Sequence, residues 1–430
     1  MMKRILRGAG ALALLVATGA PALGQVPFTP RALGMAGAYL GLARGQEALF
    51  LNPANLALPD GPRWSVGLLQ FSAASSLLGP GFTDVWDMTQ ADKETPARRQ
   101  ELLDLVPAQG TEIEYDVRAP LFVLQNGGFS FGIGYGATGQ HTVGKDIADL
   151  LINGYEDGRT DYSVGNTAGS RLTYWDAAVG YGHRFGALSL GVTGHYIRGG
   201  SAQHSRMFEP KVDVENRDIS VEYLSVLAHG GNGYTVDVGA ALQPMKSLTV
   251  SAAVENAASE MKWSDDLLVR DLVLDRADFD NFDVLNLKQK YDATEQPLDP
   301  SAITPRIYDT AQGLYDGGYF PAVAKVGLDW HPLGRTHLDV GYEKQMTDGS
   351  LAGRWKQTAS VGVQERLPII TVRAGYATDL DASSLLSAGI SLGPLELDVA
   401  KLDDGTWLGN PRNGWIGSFG LSVGTPRFGR

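Results

Sequence analysis

The sequence predicts an all-β protein: one antiparallel transmembrane β-barrel of about fourteen strands. Three observations carry that reading. Apolar and polar residues alternate along many separate segments, the connections between those segments are short and long in turn, and the chain opens on an export signal.

The export signal comes first in the chain. Lys3, Arg4 and Arg7 form a positive region, an apolar core runs from Ala9 to Thr18, and Ala22-Leu23-Gly24 supplies a small-x-small cleavage site before Gln25. Residues 1–24 therefore read as a signal peptide, and the apolar core is too short for a spanning helix, which needs about 20 residues. Across all 430 residues, 43% are hydrophobic, the formal net charge is −12 and there is no cysteine. The negative charge argues against a nucleic-acid partner, which clustered Lys and Arg would attract. The missing thiols remove disulfides, thiolate metal sites and cysteine nucleophiles. Glycine is abundant, 54 residues, against a usual share of about 7%, and suits tight turns and closely packed walls.

Period-two alternation locates the strands. Ala324, Val326, Leu328 and Trp330 stand opposite Lys325, Gly327 and Asp329; Leu338, Val340 and Tyr342 stand opposite Asp339, Gly341 and Glu343. Val236, Val238, Ala240 and Leu242 oppose Thr235, Asp237 and Gly239, and Ile370, Val372, Ala374 and Tyr376 oppose Thr371, Arg373 and Gly375. The strands are expected at 64–71, 112–124, 128–139, 171–183, 188–199, 232–242, 247–257, 319–330, 336–344, 355–365, 368–378, 384–392, 395–402 and 413–424. A soluble sandwich would show the same alternation, but these segments are long for one and match a tilted membrane span. Turns at 125–127, 184–187, 243–246, 331–335, 366–367 and 393–394 all fall on one end, and long loops at 72–111, 140–170, 200–231 and 258–318 on the other. Aromatics near strand ends, among them Trp64, Tyr174, Trp175, Tyr181, Trp330, Tyr376 and Trp415, fit interfacial girdles.

The segment before the first strand is not strand-like. It reads Arg31-Ala32-Leu33-Gly34-Met35-Ala36-Gly37-Ala38-Tyr39, then Ala48-Leu49-Phe50-Leu51-Asn52-Pro53-Ala54-Asn55-Leu56. A small-residue stretch around Gly-Met-x-Gly-Ala, followed by Asn-Pro-Ala, resembles the N-terminal signature of the FadL/TodX superfamily of outer-membrane transport proteins, which includes the PorV/PorQ-type proteins. The resemblance implies a hatch inside the lumen, so the chain divides into a signal peptide (1–24), a hatch (25–63) and the barrel (64–430). It implies that Gly34, Met35, Gly37, Asn52, Pro53 and Ala54 build that hatch. Independently of it, Asn52 suits a helix cap and Pro53 the first turn.

No catalytic constellation stands out, and no cofactor motif. The seven histidines show no metal-ligand spacing, and Gly132-Ile133-Gly134-Tyr135-Gly136 sits in a strand with no helix after it. Asp176, Asp237, Glu255, Lys325, Asp329, Asp339, Glu343, Arg373, Glu396 and Asp398 are expected to face the lumen and to pair with one another and with Arg31 and Arg44, with Asp237, Lys325, Asp329, Asp339 and Arg373 as the candidate polar network. Short helices are expected at 97–105 and 150–152, and the acidic loop 258–318 reads as a solvated surface or, alternatively, as a binder of divalent cations. The resemblance then implies one of two roles in the outer membrane. One is a channel for passive uptake of hydrophobic compounds such as fatty acids or aromatics; the other is a PorV-like scaffold or shuttle for secreted proteins. Partners are accordingly membrane lipid and either a hydrophobic small molecule or an exported protein.

Overall fold

The computed structural model describes residues 29–78, 96–156, 158–208, 210–263, 267–280, 296–297, 304–315, 320–332, 334–347, 355–381, 383–404 and 412–425. The signal segment and the apolar stretch with Phe82, Val85 and Trp86 lie outside them. The described residues form one sheet of seventeen strands. They are β1 (Trp64–Leu78), β2 (Thr111–Asn126), β3 (Phe129–Val143), β4 (Ala168–Phe185), β5 (Leu188–Met207), β6 (Lys211–Asp213), β7 (Asp218–Met245), β8 (Leu248–Trp263) and β9 (Leu267–Asp275). There follow β10 (Gln296–Pro297), β11 (Val323–Trp330), β12 (Thr336–Gln345), β13 (Gln357–Arg366), β14 (Ile370–Thr378), β15 (Ser383–Leu392), β16 (Leu395–Asp404) and β17 (Arg412–Gly424).

Fourteen of these form the wall. β6, β9 and β10 are additions at the long-loop end, where β6 and β9 pair with the outer part of β7. Each wall strand pairs antiparallel with its neighbours, β8 joins β11, and β17 returns to β1 from Ser65↔Gly424 to Leu77↔Asn413. The ring is therefore closed, and the wall leaves no edge strand with unpaired backbone groups. The expected strands map one to one onto the fourteen. Short turns fall where expected, and Gly127 and Gly186 hold positive φ of 58° and 66° in them, a conformation that costs glycine nothing.

Which face points inward is decided by burial. On β11, Val326, Leu328 and Trp330 are 50%, 37% and 46% exposed, while Lys325 and Asp329 are 5% and 0% exposed. The same inversion holds on β7, where Val238 and Leu242 face out and Asp237 faces in. An apolar outer surface around a polar interior suits hydrocarbon outside and opposes what a soluble sandwich requires. Trp64, Phe129, Tyr181, Phe185 and Trp330 are exposed close to the short-turn end of their strands, as an interfacial girdle places them.

Three expectations change. The interval 200–231 is largely strand, because β5 continues to Met207 and β7 starts at Asp218, giving a strand of 28 residues. Part of 258–318 is strand as well: Leu267–Asp275 pairs with Ser220–Ala228. Both extensions keep their backbone bonded by pairing with each other, so polar side chains in them do not end the ladder. Tyr174 is not a girdle residue; it is 4% exposed and lies in the lumen. Helices occur at Pro96–Leu105 (α3 below) and Lys145–Asn153 (α4 below), close to the two short helices expected. Among the described residues the other α-helices are α1 (Pro30–Gly34), α2 (Ala48–Leu51), α5 (Arg276–Asp280) and α6 (Pro305–Tyr315).

The outward face yields a test. Val340, 55% exposed on β12, replaced by Arg should destabilise the barrel in lipid by about 2–4 kcal/mol if it lies near the midplane. Urea titration of folding into phospholipid vesicles measures this; an unchanged midpoint would mean that this face is not in hydrocarbon.

Candidate functional site

Residues 29–58 fill the short-turn half of the lumen, and nearly every one is buried. Local chemistry sets their path. Thr29 accepts a hydrogen bond from the Ala32 amide through Oγ1 at 3.3 Å, and Pro30 opens α1. The chain then reverses through Ala36 and Gly37, both at positive φ. Asn52 begins a 3-10 turn over Pro53–Ala57, accepting from the Ala54 amide at 3.0 Å.

The segment is bonded to the wall by side chains of unequal visibility in the sequence. The Asn52 amide donates to the carbonyls of Ala240 and Ala252 at 3.1 and 3.3 Å, where β7 meets β8. Asn55, which the motif reading left without a role, donates to the carbonyls of Leu40 and Ala43 and accepts from Ser251 Oγ at 3.0 Å. It thus ties two parts of the segment to β8. Arg44 bonds Asp60 at 2.8 Å, Thr249 at 3.0 Å and two carbonyls of its own segment. Arg31 bridges Glu47 at 3.4 Å and also contacts Glu396. Tyr39 donates its hydroxyl to Glu47 at 2.7 Å. Burial pushes the Glu47 carboxyl upward from its ordinary range, and Arg31 opposes that shift.

The wall makes room for this segment with glycine. A Cβ on Gly191 would meet the backbone of Pro53 and Ala54, and one on Gly375 the backbone of Met35 and Ala36. Gly239 lies against Asn52, Gly327 against Leu40, Gly362 against Met35 and Gly34 of the segment against Arg373 and Asp398. Met35 and Ala54 are both fully buried.

The five expected lumen residues do not form one network. Asp237 accepts from the Asn256 amide at 2.8 Å and lies 3.1 Å from His195 Nε2, whose Nδ1 is 3.0 Å from Asp176. Lys325 pairs with Glu255 at 2.6 Å and Glu343 at 3.6 Å. Arg373 pairs with Asp398 at 2.8 Å, both side chains 0% exposed. Asp329 and Asp339 face each other, with His331 and His337 bonded to Asp329. Asp176, Glu255, Glu343 and Asp398 were expected inward and pair there, but the part of His195, and which charge meets which, need the register of neighbouring strands, which alternation does not supply.

Above this layer the lumen carries an apolar cluster, beside the Arg118–Asp116 pair. Leu172, Tyr174, Ile197, Met261 and Trp263 form a buried cluster with Ala311 of α6, and Phe320 packs against it. Tyr174 meets Phe320 edge-on at 5.3 Å between ring centroids. At the opposite end a cavity of about 670 Å³ opens beside the segment, lined by Arg31, Tyr39, Arg44, Glu47, Arg366 and Arg373 among others.

A closed, inside-out barrel with an N-terminal segment folded into its lumen defines a transmembrane barrel of the outer-membrane type. No family model and no curated protein matches the sequence. Among solved structures the chain is similar to the P. putida toluene transporter TodX, at a TM-score of 0.51 and 13% identity, covering 93% of this chain and 98% of that one. It is also similar to a TodX deltaS2S3 mutant, a monoaromatic hydrocarbon channel, at a TM-score of 0.53 and 15% identity, covering 92% and 98%. The chain thus has the fold of TodX, as the N-terminal motif led us to expect.

Two outcomes follow. Gly191→Ala should cost about 1–3 kcal/mol, because backbone on both sides has nowhere to move, whereas Gly194→Ala, which meets nothing within 4 Å, should be neutral. Arg373→Met should cost about 3–5 kcal/mol by leaving Asp398 buried without its partner, and adding Asp398→Leu should recover most of that. Unfolding titrations in detergent read all of these.

Proposed function

We propose that this protein is an outer-membrane channel for the passive uptake of hydrophobic compounds, with residues 25–63 acting as the hatch. The observation that carries the reading is the polarity gradient along the lumen. The long-loop half carries the apolar side chains of Tyr174, Ile197, Met261 and Trp263, with the Arg118–Asp116 pair beside Tyr174, whereas the short-turn half holds the buried Arg373–Asp398 pair and the glycine-seated segment. An apolar solute gains by leaving water for the upper cluster, at roughly 25 cal/mol per Å² of apolar surface buried. It then meets the segment, whose seat on Asn52, Asn55 and Arg44 blocks free passage of water and ions. The likeness to TodX and the N-terminal motif support the same reading. In this reading Gly34, Met35 and Gly37 let the segment turn against the wall, and Asn52-Pro53-Ala54 anchors it.

The test is made on the full chain in lipid. Deleting Asn52–Ala54 should raise ion conductance across planar bilayers well above that of the parent, and unchanged conductance would remove the hatch role. Native mass spectrometry of the gently purified barrel should find a bound fatty acid or aromatic compound. A stoichiometric protein partner with no small molecule would instead support the secretion-scaffold role.

A further inference from the structure

Two carboxylates oppose each other on the inner wall at the short-turn end. Asp329 of β11 and Asp339 of β12 are direct cross-strand partners, 0% and 1% exposed. Like charges directly opposite on one face of an antiparallel pair repel, and burial takes away the water that would screen them. Two imidazoles stand beside them. His331 Nδ1 lies 3.1 Å from Asp329 Oδ2, and His337 Nδ1 lies 2.8 Å from Asp329 Oδ1. The two rings are 4.5 Å apart between centroids, and one ligand atom from each of Asp329, His331 and His337 lies within 4.8 Å of the others.

Hydrogen bonds within the cluster leave it incomplete. With each imidazole donating its Nδ1–H to Asp329, the buried Nε2 of His337 has no donor, and neither oxygen of Asp339 has one. The neighbouring Arg44 spends its donors on Asp60, Thr249 and the carbonyls of Gly41 and Ala43. Among the described residues no Lys or Arg bridges either carboxylate.

We propose that Asp329, His331 and His337 bind a divalent transition-metal ion of the zinc type, with Asp339 supplying the charge that balances it. Two imidazole nitrogens and a carboxylate oxygen are a zinc donor set, with metal–ligand distances of about 2.0–2.2 Å. Calcium and magnesium favour all-oxygen shells instead. The ion takes the place of the Nδ1 protons that now link the imidazoles to Asp329, each ring then carrying its proton on Nε2, and it neutralises the opposed carboxylates. His331 lies in the turn after β11, its side chain 15% exposed, which gives the ion a path from the short-turn end. Gly41 of the N-terminal segment rests against the backbone of Asp329. A bound ion therefore stiffens the hairpin on which that segment is seated. The sequence hides the site because His331 and His337 lie on opposite sides of a hairpin turn, in no helical or zinc-finger spacing.

The test uses the full chain, purified in detergent, stripped with a chelator and dialysed against zinc. Elemental analysis should find one zinc per chain, and cobalt(II) in its place should give intense visible bands of low-coordinate geometry. His331→Ala, in the turn, should fold and show the same heat-modifiable gel shift, yet weaken zinc binding about 10- to 100-fold, the loss usual for a disturbed metal site. Asp339→Asn should also weaken zinc binding but raise the stability of the metal-free barrel by removing the like-charge pair. Zinc at trace level in the parent, or equal zinc in the parent and a folded His331→Ala, His337→Gln double variant, would overturn the proposal.

Discussion

Every backbone polar group that sits in hydrocarbon must find its partner within the protein, and the rest of this structure follows from that requirement. A sheet meets it only by closing. The β1–β17 pairing runs from Ser65↔Gly424 to Leu77↔Asn413 and leaves the wall without an edge. Closure fixes an inside and an outside. Strict period two then sends Val326, Leu328 and Trp330 to lipid and Lys325 and Asp329 to the lumen. Where the wall passes beyond the membrane, the extended β7 recruits β6 and β9 as partners, so the same requirement is met by pairing without closure.

A polar lumen filled by the N-terminal segment imposes a second requirement, that buried inward charges be matched. Lys325 with Glu255 and Arg373 with Asp398 meet it within the wall. The N-terminal segment meets it elsewhere, through Arg31 on Glu396 and Glu47 and Arg44 on Asp60. Such contacts need the segment to approach the wall more closely than side chains normally permit. Glycines on both surfaces allow it: Gly191 beneath Pro53 and Ala54, Gly375 beneath Met35. Much of the high glycine content thus serves the fit between segment and wall, beyond the turns. The opposed pair Asp329 and Asp339 is the place where the wall's own side chains fall short of balance, and a divalent ion there would restore it.

The polarity gradient connects this architecture to the proposed uptake of hydrophobic compounds. An apolar cluster above, built by Tyr174, Ile197, Met261 and Trp263 on three different strands, would offer burial to a solute. The hydrogen-bonded segment below offers it no comparable gain. Passage in this reading requires the segment to shift.

The strands, their number and their inward and outward faces were legible in the sequence because each depends on residues two apart. The two short helices were legible from local composition, and the seat of Asn52 and Pro53 from capping chemistry and the motif. The excursions of β5 and β7 past the membrane were not legible, since whether a polar stretch continues as strand depends on a partner elsewhere in the chain. Nor was the inward placement of Tyr174, whose ring reads equally well as girdle or core. Sequence alone determined a closed antiparallel barrel with an alternating wall and a non-strand segment ahead of it, because alternation and turn chemistry are local. Tertiary structure alone decided which charges meet, which glycines face the segment, and that His331 and His337 converge on Asp329, because register and lumen packing bring together residues that no short-range pattern relates.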